Sequence, residues 1–204
     1  MRTPPSVTEP VARRAAACPS WQALAAAARS CTVCPELVAS RSTVVVGDAP
    51  ANSRAVLVGE APGAEEDRTG RPFVGRSGRL LDDLLAEAGL ARADVAVLNV
   101  VKCRPPGNRT PTRAEAAACG GWLDRQLELL APEVVCTLGL SAMQRFLGRR
   151  STLAAARGRL HSVDGRDVLA TYHPSAALRF GPAGVPRAAL REDLRTLAAL
   201  LGRP

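Results

Sequence analysis

Short runs of continuous apolar residues alternate along this chain with longer stretches in which leucine and alanine recur every three or four positions. The runs suit buried strands and the stretches suit amphipathic helices, because side chains alternate faces in a strand and return to one face about every 3.6 residues in a helix. On this pattern "AVLVGE" (55–60) predicts a first strand, and "GRLLDDLLAEAGL" (78–90) predicts a helix closed by Gly89. "VAVLNVV" (95–101) predicts a second strand. "TRAE", Thr112 to Glu115, is a capping box expected to open a helix that runs to about Leu130. "EVVCTLG" (133–139) then predicts a third strand, "SAMQRFLG" (141–148) a short helix, and "DVLATY" (167–172) a fourth strand ending at His173. A last helix is expected over 186–201. Residues 1–20, rich in Pro, Ala and Arg without a period, read as a loose extension leading into a short helix at about 21–29. No repeat or second boundary is visible, so 21–204 is expected to form a single domain. Strands alternating with helices imply an α/β fold, a three-layer α/β/α sandwich on a central, mainly parallel four-stranded sheet.

The unusual residues fall where the strands end. "GEAPG" leaves the first strand, Asn99 closes the second, "LGLS" leaves the third and "YHPS" leaves the fourth. In open parallel sheets the carboxyl ends of strands form the ligand crevice, so these four segments are expected to converge. The longest of them, "GEAPGAEEDRTGRPFVGRSG" (59–78), has the glycines of a phosphate loop. It lacks the Lys-Ser or Lys-Thr of one, and Glu60, Glu65, Glu66 and Asp67 would repel a phosphate, which argues against a phosphotransferase.

Composition narrows the picture. Aromatics are 3% of the chain, so Phe73 at the end of that acidic loop carries more information than a phenylalanine usually does. No run is long enough for a membrane span and no apolar segment suggests a signal peptide, so a cytoplasmic protein is expected. A net charge of +8, carried by arginines with Lys102 the only lysine, points to an acidic partner such as nucleic acid, or to arginine-for-lysine bias.

Of six cysteines, Cys136 lies inside an apolar strand and reads as a small buried hydrophobe, and Cys18 has no assigned place. Cys31 and Cys34 form a CxxC, while Cys103 and Cys119 flank the entry to the capped helix. Four thiolates meeting at one edge of the sheet suit tetrahedral zinc or an iron-sulfur cluster, and spacing alone places zinc first.

The loop "GEAPGAEEDRTGRPFVGRSG", the segment "NVVKCRPPGNR" and "YHPS", taken with the four cysteines, resemble the type-four uracil-DNA glycosylases. The resemblance covers about 31–201 and implies a [4Fe-4S] cluster, in place of zinc, on Cys31, Cys34, Cys103 and Cys119. It implies an enzyme that flips uracil out of single- or double-stranded DNA and hydrolyses its N-glycosidic bond, acting as a monomer with no membrane partner. A relative of the family binds DNA covalently through a histidine in a basic insertion after the second strand. "KCRPPGNRTPTRAE" has neither, which implies a turnover enzyme.

By the same resemblance, Glu60, Ala61 and Pro62 offer a rigid turn to the uracil edge, Phe73 stacks on the ring, Asn99 reads N3-H and O4, and His173 donates to O2 as charge develops there. The catalytic candidates are therefore His173, Glu60 and Glu66. Ala61 stands where type-one enzymes carry a water-positioning aspartate, and Gly63 where they carry a tyrosine that excludes thymine. His161 reads as a hairpin residue. Arg104, Arg109 and Arg179 are candidate phosphate contacts and Leu178 a candidate wedge. The alternative is a non-catalytic iron-sulfur nucleic-acid-binding module of the same fold.

Overall fold

The computed structural model describes residues 10–51 and 53–202. Helices α1 (Val11–Ala16), α2 (Trp21–Arg29) and α3 (Pro35–Ser40) precede strand β1 (Ala55–Gly59), which leads through α4 (Ala64–Thr69) and α5 (Arg76–Glu87) to β2 (Val95–Asn99). The long α6 (Arg113–Leu130) connects to β3 (Val134–Leu138), followed by α7 (Leu140–Leu147), α8 (Leu153–Ala156), β4 (Leu160–Val163), β5 (Arg166–Thr171), α9 (Pro174–Phe180) and α10 (Val185–Leu201).

The strands lie in the order β2-β1-β3-β5-β4, with β2, β1, β3 and β5 parallel and β4 antiparallel to β5. Alternation along each strand divides the core in two. Val56, Val58, Ala96, Leu98 and Val135 face one layer with Trp122 and Leu123 of α6, whereas Leu57, Val95, Val97, Cys136 and Leu138 face the other with the leucines of α5 and α10. The three-layer sandwich is therefore present. The Thr112 box also forms as expected, with the Glu115 backbone N–H donating to Thr112 Oγ1 and the Thr112 N–H to the Glu115 carboxylate.

Two expectations need correction. The sheet has five strands rather than four, because the segment around His161 is itself a strand, β4, at the sheet edge. Its residues are exposed or half-buried throughout, so no apolar face announced it. Nor is the N-terminal segment loose from residue 10 onward; residues 1–9 lie outside the described residues. Val11, Arg14 and Ala15 recur on one face of α1, which packs on α6 over Gly121, where a Cβ would stand 2.6 Å from Ala12 Cα. Arg14 lies 5.4 Å from the centre of the Trp122 ring and donates to the Ala27 carbonyl oxygen at 3.1 Å. The ring contact and the Nη2 bonds offset part of the cost of this burial, since Nε and Nη1 are buried without a hydrogen-bond partner.

Among the described residues, no helix is long and apolar enough to cross a membrane.

Candidate functional site

The carboxyl ends of β1, β2, β3 and β5 surround a cavity of about 730 Å³, within the range for small-ligand pockets. Glu60, Ala61, Pro62, Glu66, Phe73, Asn99 and His173 all line it. The fold thus brings together every residue expected to touch the base.

The acidic loop owes its charge mostly to its own architecture. One Glu66 oxygen accepts from the backbone N–H groups of Val74 and Gly75, both at 2.8 Å, and the other from Gly63 at 3.1 Å. Buried Asp67 accepts from the N–H groups of Ser42 at 2.9 Å and Thr43 at 3.2 Å, tying α4 to the segment after α3. Glu65 forms an exposed pair with Arg68. Of the four carboxylates only Glu60 presents its side chain to the cavity without a backbone clamp, and Ser141 Oγ, from the first turn of α7, donates to it across the gap between β1 and β3.

The glycines of this loop admit a side chain rather than a phosphate. A Cβ at Gly59 would lie 2.6 Å from Phe73 Cζ and 2.5 Å from Asn99 Oδ1, and one at Gly78 only 1.8 Å from the Phe73 carbonyl oxygen. Phe73 is held between them with φ at 52°, a left-handed conformation uncommon for a bulky residue. It belongs to the core beneath α5 and also forms a cavity wall, with its ring centroid 5.6 Å from that of His173.

Asn99, paired in register with Gly59, is 2% exposed, and its Oδ1 has no hydrogen-bond partner. A buried acceptor left unpaired costs about 1–3 kcal/mol, so this position is suited to a ligand that brings a donor. Its carbonyl oxygen accepts from Lys102 Nζ at 2.7 Å. Burial lowers the Lys102 pKa to about 8.

His173 caps α9. The Ser175 backbone N–H donates to its Nδ1 at 3.1 Å, so the neutral ring carries its proton on Nε2. Desolvation holds its pKa at about 4, with Glu66 acting weakly the other way. Gly139, at φ 91°, lets the end of β3 approach: a Cβ there would meet His173 Cβ at 2.9 Å.

The expected phosphate contacts fare differently. Arg109 lines the cavity, but its guanidinium is committed to Glu115 at 2.8 Å and Glu36 at 3.1 Å, which corrects its assignment as a free DNA contact. Leu178 packs partly buried against the core under α5 and α10. Arg104 donates to Asn108 Oδ1 at 2.7 Å, and Arg179 is exposed at the cavity rim. Sequence reasoning missed Ser141, Gly139 and Ser175; "LGLS" and "HPS" marked the segments, but contacts across the sheet carry no local signal.

Cys31, Cys34, Cys103 and Cys119 pack into the same core layer as α2 and α6, near enough to disfavour one another's ionisation. Burial, helped by the neighbouring sulfurs, raises Cys34 to about 11 and Cys119 to about 12. Arg41 donates to Cys103 Sγ at 2.9 Å and the Lys102 backbone N–H to Cys119 Sγ at 3.3 Å. Four thiols, two of them met by N–H donors, have the donor chemistry of a thiolate-bound metal centre. Among the described residues, however, no group of three or more His, Cys, Asp or Glu is drawn close enough to hold a metal ion. Cys136 is fully buried in β3, as expected, and Cys18 sits buried beneath α1, donating to the Arg14 carbonyl oxygen.

Residues 46–195 match the family model described as "Uracil DNA glycosylase superfamily". A type-4 uracil-DNA glycosylase of Thermotoga maritima is 50% identical over 119 residues, covering 57% of this chain and 62% of that protein. One of Saccharolobus solfataricus is 39% identical over 152 residues, covering 70% of this chain and 69% of its own length. A type-5 uracil-DNA glycosylase of Thermus thermophilus is 37% identical over 129 residues, 53% of this chain and 58% of that protein. The chain spans less than two thirds of the Thermotoga protein's length.

Proposed function

Because the chain belongs to the uracil DNA glycosylase superfamily, in its type-4 branch, we propose that its cavity receives a uracil flipped out of DNA and that the site hydrolyses the N-glycosidic bond. The observation that carries this reading is the pairing of an orphaned acceptor, Asn99 Oδ1, with a fixed donor, the Nε2–H of His173, on the walls of one cavity.

Flipping a base costs a few kcal/mol, and the pocket must return that in contacts. Phe73 offers a ring face, and Asn99 accepts from N3-H while its amide donates to O4. Cytosine presents the reverse pattern at both positions. As the bond to the sugar breaks, negative charge gathers on the base and positive charge on the sugar. His173 donates to O2 in the neutral form, and Glu60, held by Ser141, supports the cation or a water approaching it. Glu66 acts by fixing the loop, because both its oxygens are already used. Arg179, exposed at the rim, remains suited to a phosphate. Six free cysteines suit the reducing interior of a cell.

The direct test is an oligonucleotide carrying one uracil, single- or double-stranded, followed by alkaline cleavage at abasic sites. Strand cleavage dependent on uracil supports the reaction. Tight binding without any release of base would favour the non-catalytic module.

Cys31, Cys34, Cys103 and Cys119 would hold a [4Fe-4S] cluster, which when bound supplies a covalent staple between the CxxC segment and the base of α6. Protein prepared without oxygen is expected to be brown, with broad absorbance on the order of 400 nm. Cys119→Ser should abolish that absorbance and lower the melting temperature. A colourless protein with stoichiometric zinc would refute the cluster.

A pH dependence follows from His173. Its folded pKa of about 4 lies below the ordinary 6.5, so the neutral ring dominates above pH 5. This group's contribution to stability is full above 6.5 and is lost as pH falls through 4. Single-turnover rates should therefore be flat with respect to this group from pH 5 to 8 and fall only near 4. A limb near 6.5 that disappears in His173→Gln would show that the ring is not desolvated.

A further inference from the structure

A second, smaller cleft of about 230 Å³ adjoins the uracil cavity and shares Glu60 and Ser141 with it. Its volume is below the range for pockets that enclose a whole ligand. Its character is also different. Arg113, Arg145 and Arg149 line it over an apolar floor that includes Val100 and Val101. Arg145 is neutralised by Asp124, whereas Arg113 and Arg149 are exposed and form no ion pair with any described residue. The only carboxylate on the lining is Glu60, at the border shared with the uracil cavity, where it accepts from the Ser141 hydroxyl; the two unpaired guanidinium groups outweigh its single negative charge.

From this arrangement we infer that the cleft takes the phosphodiester adjoining the flipped nucleotide, with Arg113 and Arg149 as its two charged donors. The inference rests on the reading of the larger cavity as a uracil pocket. With the base there and the sugar beside Glu60, the backbone leaves the sugar only a few bonds away, and the cleft begins on the other side of that same glutamate. Planar guanidinium groups match phosphate oxygens with paired N–H donors, and the apolar floor fits the face of a deoxyribose. The inference also moves the main phosphate contact from Arg109, which is locked to two carboxylates, to arginines on the first turn of α6 and just after α7.

The test uses fluorescence anisotropy with a single-stranded oligonucleotide carrying one 2′-fluoro-2′-deoxyuridine, which binds without being cleaved. Arg113→Gln and Arg149→Gln should each weaken binding roughly tenfold at low salt, and the double variant should reduce the slope of log affinity against log salt by about 0.7, the value for one phosphate of a single strand. Arg195→Gln, an exposed change on α10, should do neither. Replacing the phosphate on one side of the fluorinated nucleotide by a neutral methylphosphonate should weaken wild-type binding by a similar factor, and should cost the double variant almost nothing. Inhibition by free uracil should be unchanged in both variants. An unchanged salt slope in the double variant, or a methylphosphonate penalty that survives on both sides, overturns the phosphate site. If wild-type protein releases no uracil from ordinary substrate yet the slopes fall as described, the phosphate site is supported and only the reaction is refuted.

Discussion

His173→Ala is expected to lower the single-turnover rate of uracil release by about a hundredfold or more, while changing the affinity for uracil-containing DNA much less. The structure makes the reason specific. With Ser175 donating to Nδ1, the only proton of the neutral ring lies on Nε2, and the desolvation that keeps the ring neutral also strengthens its hydrogen bond to a developing anion. A preorganised donor of this kind contributes about 3–4 kcal/mol at the transition state and little before charge has moved. The carboxylates are placed for less. Ala61 leaves the type-one aspartate's position without an acid group, and Glu66 is consumed by three backbone N–H groups. Glu66→Gln should therefore appear as lost stability, because an amide would face the Gly63 N–H with a second donor. Glu60→Gln is the real competitor. If Glu60→Gln, with intact fold, is slower than His173→Ala, nucleophile activation by the loop governs the rate and the leaving-group account fails.

Asn99→Asp should shift the ratio of uracil to cytosine excision by about a hundredfold or more, with uracil release falling and cytosine release appearing. At 2% exposure an aspartate here is pushed toward its neutral form, whose hydroxyl can donate to cytosine N3 while its carbonyl accepts from the exocyclic amine. The ionised fraction meets uracil O4 with like charge. Measuring both activities on matched oligonucleotides decides the matter, since unchanged uracil excision without cytosine release would place base reading elsewhere. Gly59 sets a limit on redesign at this position, because anything larger than glycine there strikes both Asn99 Oδ1 and the Phe73 ring.

The parts legible in the sequence were those with a local period or a local motif. Strands buried on both faces read as apolar runs, the leucines of α5 read as a stripe, and Thr112 to Glu115 carried its own capping chemistry. The convergence of "GEAPG", Asn99, "LGLS" and "HPS" followed from topology alone, since parallel strands end on one side. What escaped depends on pairs distant along the chain or on faces that are never fully buried. β4 is only half-buried on its inner face, at His161 and Val163, so it carries no apolar run. The docking of α1 needs a missing Cβ at Gly121 and a ring at Trp122, more than a hundred residues away. Arg109 looked free because one of its two carboxylates, Glu36, lies on α3. Likewise, nothing near Glu66 in the chain says that its oxygens would serve Val74 and Gly75 rather than a water.

The interior position of Lys102 determines what kind of surface the protein can present. The chain's only ammonium side chain is sealed against Asn99, so all of its exposed side-chain cations are guanidinium groups, apart from any charge on histidine. Guanidinium does not lose its proton under cellular conditions and is not a substrate for lysine acetylation or ubiquitin attachment. The attraction of these side chains toward a polyanion thus holds across the cellular pH range, and neither alkalinity nor acyl transfer to side-chain amines can turn it down.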